Sequence, residues 1–260
     1  MRLAVVQTNP VFGKNEVNVH TATEQMRKVP ADMYVLPELF NTGYNFASAD
    51  ELDRVAEKAE GATFRAIAGF AQRHSSYVAY GFAEMADHVY NSAALVGPGG
   101  LIGTYRKVHL FDRENLFFHP GNLGYPVFEL PIGRIGLMIC FDWIYPEAAR
   151  SLALKGAQLI AHPSNLVLPH GPDAMVTRCL ENRVFAATAD RVGHENREGI
   201  DVQFIGASEI ISPRGEILAR LGKTEEGIAV VEVDLADADE KKINSHNDLL
   251  AGRRPDQYDM

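Results

Sequence analysis

Short apolar runs alternate with amphipathic stretches along this chain. Residues 33–36 and 135–139 are apolar, short and rich in branched or aromatic side chains, which is typical of buried strands, and residues 3–7 predict another strand. Between the strands 3–7 and 33–36, residues 15–29 place Val19, Ala22, Met26 and Val29 at helical spacing before Pro30. A strand, a helix and a second strand in this order predict a β-α-β unit with parallel strands.

The same reasoning extends to the rest of the chain. Further helices are predicted over residues 49–59, 63–74, 148–155 and 172–186. Further strands are predicted over residues 77–82, 89–96, 157–161, 186–190, 208–212, 217–221 and 228–233. From Ala236 onward the chain is polar and charged, without a clear core pattern.

Two distant segments share one pattern. Residues 94–102 and 210–218 each read as an apolar run, a small residue, Pro, a turn, Gly and a second apolar run. An internal duplication explains this pattern, and each half would then hold β-α-β units and a hairpin, with two sheets packed face to face and helices outside. Chance recurrence of a common turn explains the pattern equally well.

Composition sets the broad class. The 260 residues are 46% hydrophobic, enough for a substantial core, and no Pro, Gly or Ser linker divides them, so we expect one domain over residues 1–260. The net charge of −9 argues against a nucleic-acid partner. Because the N-terminal apolar run is too short for a signal peptide and no stretch approaches membrane-spanning length, we expect no membrane partner. Two cysteines form no disulfide framework, which indicates a reducing compartment and a cytoplasmic location.

Cys140 stands at the end of the predicted strand 135–139. Asp142 offers an N-cap for the helix that follows, while Pro146 and Glu147 suit its first turn. This arrangement predicts a thiol at the carboxyl end of a parallel strand, where open α/β sheets bind ligands. Backbone N–H groups and the helix dipole would favour the thiolate there. The alternative is a buried thiol with a purely structural role.

Three other residues have properties that a cysteine nucleophile needs. Glu38 follows a buried strand, which places a carboxylate at the end of a parallel strand on the same side of the sheet as Cys140, and partial burial would suit it to proton transfer. Lys107 lies in an irregular, aromatic-rich segment over residues 105–122 and could stabilise a developing oxyanion. Glu114 is a second carboxylate in that segment. Each residue alone is also explained as a capping, surface or ion-paired group.

Histidine chemistry and metal chemistry are the competing hypotheses. His162 ends the strand after the nucleophile helix and is the best candidate for a Cys-His dyad, ahead of His109, His119 and His170. The histidines and the two cysteines show no zinc-ligand spacing, so no metal site is predicted.

Four segments resemble the signature segments of the nitrilase superfamily, the carbon-nitrogen hydrolases. They are LPELFNTGY, YRKVHLF, the REN before FFHPGN, and ICFDWIYPE. They occur in the family's order with similar spacing, and the resemblance extends from VVQTNP to VVEVDL near the end of the chain. Many relatives carry Tyr or Trp where this chain has Phe141, which leaves the subfamily open.

The resemblance implies a fold and a set of site residues. The fold would be a four-layer α-β-β-α sandwich of two pseudo-symmetric halves. The triad would be Glu38, Lys107 and Cys140, with Glu114 as a second glutamate and the backbone N–H of Phe141 as an oxyanion donor. In the family the position of His162 is structural or lines the pocket. No metal or organic cofactor is implied.

The implied activity is hydrolysis of a non-peptide carbon-nitrogen bond. We expect a small amide to give a carboxylic acid and ammonia through a thioester intermediate. Hydrolysis of a nitrile or of an N-carbamoyl amine uses the same groups and remains an alternative. Acyl transfer to an amine is another possibility. Outside enzymes, the chain could be a binding or scaffold protein that retains the fold.

The resemblance also predicts a pocket and an assembly. The predicted pocket walls are mostly apolar or aromatic and favour a small uncharged acyl group, although charged residues such as Arg113, Arg191 or Glu195 could reach the site. The predicted wall residues are Tyr44, Phe111, Trp143, Asn165, Leu166 and residues 167–170. Cys179 is expected in the core or an interface. We expect a homodimer or a higher homo-oligomer, with the tail from about residue 236 in subunit contacts.

Overall fold

The computed structural model describes residues 1–258, so the last two residues of the predicted tail lie outside the described part. The strands are β1 (Arg2–Gln7), β2 (Met33–Val35), β3 (Tyr77–Met85), β4 (Val89–Gly97), β5 (Gly100–Arg106), β6 (Val127–Leu130), β7 (Gly133–Leu137), β8 (Leu159–Pro163), β9 (Phe185–Ala189), β10 (His194–Arg197), β11 (Ile200–Gln203), β12 (Glu209–Ile211), β13 (Ile217–Arg220), β14 (Gly227–Glu232), β15 (Lys242–Asn244) and β16 (Asn247–Asp248). The helices are α1 (Asn15–Lys28), α2 (Ala49–Val55), α3 (Ala62–His74), α4 (Glu114–Phe117), α5 (Pro146–Leu154) and α6 (Gly171–Asn182).

Two six-stranded sheets carry the fold. The first has the strand order β14-β1-β2-β3-β4-β5, and the second has the order β13-β12-β9-β8-β7-β6. In the first, β1, β2 and β3 run parallel, and β14, β4 and β5 are antiparallel to their neighbours. In the second, β7, β8 and β9 run parallel, and β6, β12 and β13 are antiparallel to theirs. The chain therefore consists of two halves with the same strand pattern.

The packing of these sheets follows from alternation along each strand. Leu3 and Val5 of β1 share one core cluster with Ile135 and Leu137 of β7, so the sheets pack face to face. On the other face of β1, Ala4 and Val6 pack with residues of α1 and α3. Gly136 of β7 points away from the first sheet, and a Cβ there would lie 2.9 Å from the Leu152 side chain of α5. Met175 and Cys179 of α6 pack with residues of β9 and β12, so α5 and α6 form the outer layer on the second sheet. The predicted four-layer α-β-β-α sandwich is confirmed.

The repeated turn pattern occupies equivalent places in the two halves. The first copy forms the β4–β5 hairpin at one edge of the first sheet, and the second copy forms the β12–β13 hairpin at one edge of the second. Internal duplication therefore accounts for the pattern better than chance recurrence does.

Two predicted helices end earlier in the structure. Helix α2 stops at Val55 instead of residue 59, because the Glu57 N–H donates to the carbonyl of Ala83 and joins the chain to β3. Helix α6 stops at Asn182 instead of residue 186, because Arg183 adopts a left-handed conformation with φ of 49°. Both ends are set by contacts or conformations that helical periodicity does not report.

The segment after Cys140 also differs from the prediction. Residues Cys140–Ile144 form a 3₁₀ helix, and α5 begins only at Pro146 with Tyr145 as its N-cap. Asp142 is therefore not the N-cap of α5. Its side chain instead accepts the Ile139 N–H at 2.9 Å and closes the turn around Cys140.

Several elements had no counterpart in the sequence pattern. The β10–β11 hairpin is polar along most of its length, and β6 precedes β7 at one edge of the second sheet. The polar tail forms short 3₁₀ turns and the β15–β16 hairpin. Among the described residues, no helix has the length and apolarity that crossing a membrane requires.

Candidate active site

Cys140 lies where the chain leaves the second sheet. It follows β7, is the first residue of the 3₁₀ helix and is 5% exposed. Its φ of 41° lies in the left-handed region, which is strained for a residue with a side chain. Such strain persists only where surrounding contacts hold the backbone, and Asp142 and His162 provide those contacts.

Glu38 reaches the site from the other sheet. It follows β2 of the first sheet, so the expectation that Glu38 and Cys140 share one sheet is wrong. The two residues meet because the sheets pack face to face, and the Glu38 N–H approaches the carbonyl of Ser164, which follows β8, at 3.4 Å. Gly81 makes room for this segment, because a Cβ there would lie 2.5 Å from the Glu38 Cα. The Glu38 side chain is completely buried, not partly buried as expected.

Lys107 joins the two glutamates. Its Nζ donates to Glu38 Oε1 at 2.7 Å and to Glu114 Oε1 at 2.8 Å, and its side chain is fully buried. Burial opposes its charge, but the carboxylates of Glu114 and Glu38 outweigh this and raise the pKa of Lys107. Lys107 therefore carries a fixed positive charge in a buried site.

Glu114 is the first residue of α4 and is almost fully buried. Besides Lys107, its Oε1 accepts the Tyr44 hydroxyl at 2.6 Å. Burial raises the pKa of Glu114, Lys107 opposes this rise, and the negative charge of Glu38 adds to it.

Asn91 belongs to the same cluster and was missed by sequence reasoning. Its Nδ2 donates to Glu38 Oε1 at 2.7 Å and approaches Glu114 Oε2 at 3.4 Å. The available signal was a polar residue inside the predicted strand 89–96, two positions before Ala93, which packs between the sheets.

The surrounding charges and burial change the pKa of the Cys140 thiol. Burial raises the pKa of Cys140 well above its usual value, and the Glu38 carboxylate raises it further. Lys107 and the backbone N–H of Asn165 lower it by smaller amounts. The expected stabilisation of a thiolate by the helix dipole is thus outweighed, and the resting group is the thiol.

His162 is not placed as a base for this thiol. Its Nε2 lies 2.9 Å from the carbonyl oxygen of Cys140, which can only accept, so Nε2 carries the hydrogen. The Nδ1 atom then accepts the Thr188 hydroxyl at 3.0 Å. Burial lowers the pKa of His162 to about 4, so the ring is neutral at pH 7. Its contacts hold the Cys140 backbone.

A cavity of about 370 Å³ leads to this cluster. Its wall includes Tyr44 and Phe111, as the sequence predicted, together with Glu114, so it reaches the buried charges. Most of the wall is apolar or aromatic, and Asp112, Arg113 and Asp201 are its charged members besides Glu114. The full wall comprises Tyr44, Asn45, Phe46, Phe111, Asp112, Arg113, Glu114, Phe117, Phe118, Val167, Ile200, Asp201, Val202 and Gln203.

Val167, from the predicted segment 167–170, also lines the cavity, whereas Pro169 and His170 of that segment are exposed outside this wall. Trp143, Asn165 and Leu166, which were also predicted for the wall, lie deeper. Trp143 and Leu166 belong to the hydrophobic core and pack around Gly171 at the start of α6. Asn165 is 1% exposed, and its backbone N–H faces the Cys140 thiol. Phe141 contacts Phe111 with ring centroids 4.9 Å apart, which connects the turn at Cys140 to the cavity wall.

The charged residues considered at a distance have different places. Arg191 and Glu195 are buried and paired with each other. The Glu195 carboxylate also accepts the N–H groups of Tyr44, at 3.1 Å, and Asn45, at 2.7 Å, so it supports the cavity wall. Arg113 lies in the wall itself. Cys179 is fully buried in the core, as expected for a structural thiol.

The fold and the cluster together define an α/β sandwich with a buried cysteine, a lysine and two glutamates between its sheets. A family model described as Carbon-nitrogen hydrolase matches residues 2–243. The chain belongs to this family, the nitrilase superfamily that its sequence segments resemble.

Individual proteins similar to this chain are named as members of the same family of enzymes. The chain is 47% identical over 263 residues to a protein named nitrilase from Pyrococcus abyssi (strain GE5 / Orsay), covering 99% of each. It is 26% identical to the carbon-nitrogen hydrolase from Helicobacter pylori G27, with a TM-score of 0.90, covering 99% of this chain and 97% of that one. It is 25% identical to the amidase from Nesterenkonia sp. AN1, with a TM-score of 0.78, covering 93% and 96%. That structure is of a mutant of the amidase and shows the result of Michael addition of acrylamide at its active site cysteine.

Proposed function

We propose that this carbon-nitrogen hydrolase cleaves small amides to a carboxylic acid and ammonia, with Cys140 as nucleophile. The observation that carries the proposal is the buried cluster in which Lys107 Nζ contacts Glu38 at 2.7 Å and Glu114 at 2.8 Å beside the Cys140 thiol. A thiol, a carboxylate and a fixed cation can together supply the nucleophile, the base and the oxyanion stabilisation that acyl transfer requires.

The first half of the proposed reaction forms a thioester. Because burial keeps Cys140 protonated, a base must take its proton as the sulfur attacks the amide carbon, and Glu38 is that base. Lys107 and the backbone N–H of Phe141 stabilise the oxyanion, each contributing about 3 kcal/mol as in comparable sites. Glu38 then returns the proton to the leaving nitrogen, the carbon-nitrogen bond breaks, and ammonia departs.

The second half regenerates the thiol. Glu38 accepts a proton from water as the water oxygen attacks the thioester carbon, and the same proton returns to sulfur when the carbon-sulfur bond breaks. The carboxylic acid is then released. Glu114 orients the substrate nitrogen and, through its hydrogen bond with Lys107, keeps that cation in place.

The cavity supports a small, uncharged acyl group. Its volume of about 370 Å³ and its mainly apolar and aromatic wall suit a compact acyl chain. Arg113 in the wall would also suit a carboxylate on the substrate, whereas Asp112 and Asp201 would oppose one. An ω-amide of a dicarboxylic acid therefore belongs among the substrates to be tested.

A nitrile substrate is the second candidate. The 47% identity to a protein named nitrilase favours it, and attack of Cys140 on a nitrile carbon uses the same groups. N-carbamoyl amines are a third substrate class for the same site. We also propose a homo-oligomer with the polar tail in subunit contacts, since Ile243 and Tyr258 of the tail expose large apolar surfaces.

Ammonia release from a substrate panel tests the function. The panel holds aliphatic and aromatic amides, ω-amides, N-carbamoyl amines and the matching nitriles, each assayed with the wild type, Cys140→Ala and the control Cys179→Ala. We expect release by the wild type and Cys179→Ala, none by Cys140→Ala, and the highest rate with an uncharged amide. Equal release by all three proteins contradicts the role of Cys140. A highest rate with a nitrile selects the second candidate, and no release by any protein contradicts the hydrolase proposal.

A further inference from the structure

We infer that Asn91 is a positioning residue that selects which oxygen of Glu38 acts as the base. The inference rests on the proposed function, in which Glu38 takes the proton of Cys140. It concerns a residue outside the four polar groups that the sequence segments single out.

Both donors that hold Glu38 converge on one of its oxygens. Lys107 Nζ and Asn91 Nδ2 each donate to Glu38 Oε1 at 2.7 Å. Within residues 1–258, Oε2 is buried and has no hydrogen-bond partner. Because a base must offer a free lone pair to the proton that it takes, Oε2 is the oxygen that faces the reaction.

Asn91 also separates two carboxylates. Its Nδ2 carries two hydrogens, so it can serve Glu38 Oε1 and Glu114 Oε2, the latter at 3.4 Å. A neutral amide donor can lie between two negative groups where a third carboxylate would be repelled. Lys107 alone would leave Glu38 free to rotate about its last torsion and exchange its two oxygens.

The fold fixes Asn91 itself. Asn91 lies in β4, between β3 and β5, and pairs with Ala83 of β3. The Asn91 carbonyl accepts the Lys107 N–H at 2.8 Å. The side chain is fully buried, and its Oδ1 has no partner among the described residues. Burying an unpaired amide oxygen destabilises a fold, so the donor function of Nδ2 is the physical reason for an asparagine here.

Two substitutions separate positioning from packing. Asn91→Leu keeps the approximate volume and removes the donor, so we expect kcat to fall about 10-fold to 100-fold with KM little changed, less than the full contribution of a general base. Asn182→Leu is the matched control: Asn182 is equally buried and also has an unpartnered Oδ1 within residues 1–258, but it lies at the end of α6. We expect Asn182→Leu to retain kcat below its unfolding temperature.

The Asn91→Asp variant adds a pH readout. The ionisable groups around position 91 are Glu38, Glu114, Lys107, Cys140 and, through Glu114, Tyr44. The two carboxylates disfavour ionisation of a third, and the introduced carboxyl can donate to Glu38 only while protonated. We therefore expect the ratio of the Asn91→Asp kcat to the wild-type kcat to increase as the pH is lowered from about 8 to about 5. The same ratio for Asn91→Leu should not change with pH.

The outcomes distinguish the two levels of the argument. Cys140→Ala and Glu38→Gln are assayed beside the Asn91 variants, and circular dichroism checks that each is folded. If Cys140→Ala retains turnover, the proposed function fails. If Cys140→Ala and Glu38→Gln are inactive while Asn91→Leu and Asn91→Asp keep the wild-type kcat at every pH, only the inference about Asn91 fails.

Discussion

The hydrogen bond to the carbonyl oxygen of Cys140 determines which ring nitrogen of His162 carries the proton. Sequence reasoning could place a histidine near the thiol, but it could not show which of its atoms faces which neighbour. The structure directs Nε2 to that carbonyl and Nδ1 to Thr188, so neither nitrogen is free for the thiol. The buried, neutral ring thus holds the strained backbone of Cys140.

The buried ring makes stability depend on pH. Burial lowers the pKa of His162 from 6.5 to about 4. Between these two pH values His162 is protonated in the unfolded chain and neutral in the folded chain. His162 therefore contributes stability above pH 6.5, which is lost as the pH falls towards 4. From about pH 7.5 to about pH 5 the loss from this group is about 2 kcal/mol.

Urea unfolding at the two pH values checks this prediction. His162→Gln should be less stable than wild type at the higher pH but should lose about 2 kcal/mol less on acidification. His246→Gln, at an exposed position in the tail, is the control and should follow wild type. An equal loss in wild type and His162→Gln would contradict the assignment of a neutral buried ring.

At the residue scale, sequence reasoning found the charged cluster but not its neutral member. Glu38, Lys107, Glu114 and Cys140 stand in recognisable segments, and the structure brings them together. Asn91 was hidden in a strand that was correctly predicted, because nothing in a strand pattern says that a polar side chain points at a carboxylate from another part of the sheet.

At the scale of elements, the close approach of two segments positions Glu38. Gly81 in β3 lies against the Glu38 backbone, and its N–H donates to the Pro37 carbonyl at 3.0 Å. Its φ is not left-handed, so space and not backbone conformation requires glycine at this place. Any side chain at position 81 must push the Pro37–Glu38 segment away from β3.

We predict that Gly81→Ala disturbs both stability and activity. The added methyl group, 2.5 Å from the Glu38 Cα, should lower the free energy of unfolding by about 1–3 kcal/mol and reduce kcat by displacing Glu38, the proposed base. Gly99→Ala is the matched control, because a Cβ there meets nothing within 4 Å. Thermal unfolding and ammonia release measure the two effects. Wild-type values for Gly81→Ala would show that the segment is not tightly held.

The elements themselves were predicted with uneven success, for physical reasons. Buried strands such as β2 and β7 stand out because an apolar run needs no partner to be recognised. The predicted role of Asp142 as the N-cap of α5 was wrong. Its carboxylate instead accepts the Ile139 N–H at 2.9 Å and the Tyr105 hydroxyl at 2.6 Å. The β10–β11 hairpin was missed because it is polar and supports the cavity from outside the two main sheets.

At the scale of the whole molecule, the site exists only because two sheets meet. Glu38 and Lys107 follow strands of the first sheet, and Cys140 follows a strand of the second. Sequence reasoning obtained the sandwich from a repeat and a resemblance, but it placed Glu38 and Cys140 on one sheet. The face-to-face packing of the two halves brings the thiol to the charged groups and buries them together.

Detection of a covalent acyl group on Cys140 during turnover would show that this residue is the nucleophile. Wild type is mixed with the best amide of the panel, quenched in acid during turnover and digested, and its peptides are weighed by mass spectrometry. We predict that the peptide containing Cys140 gains the mass of the acyl group less one hydrogen, and that Cys140→Ala shows neither this adduct nor ammonia. Ammonia release by Cys140→Ala, or an acyl group on a different residue during turnover, would show that Cys140 is not the nucleophile.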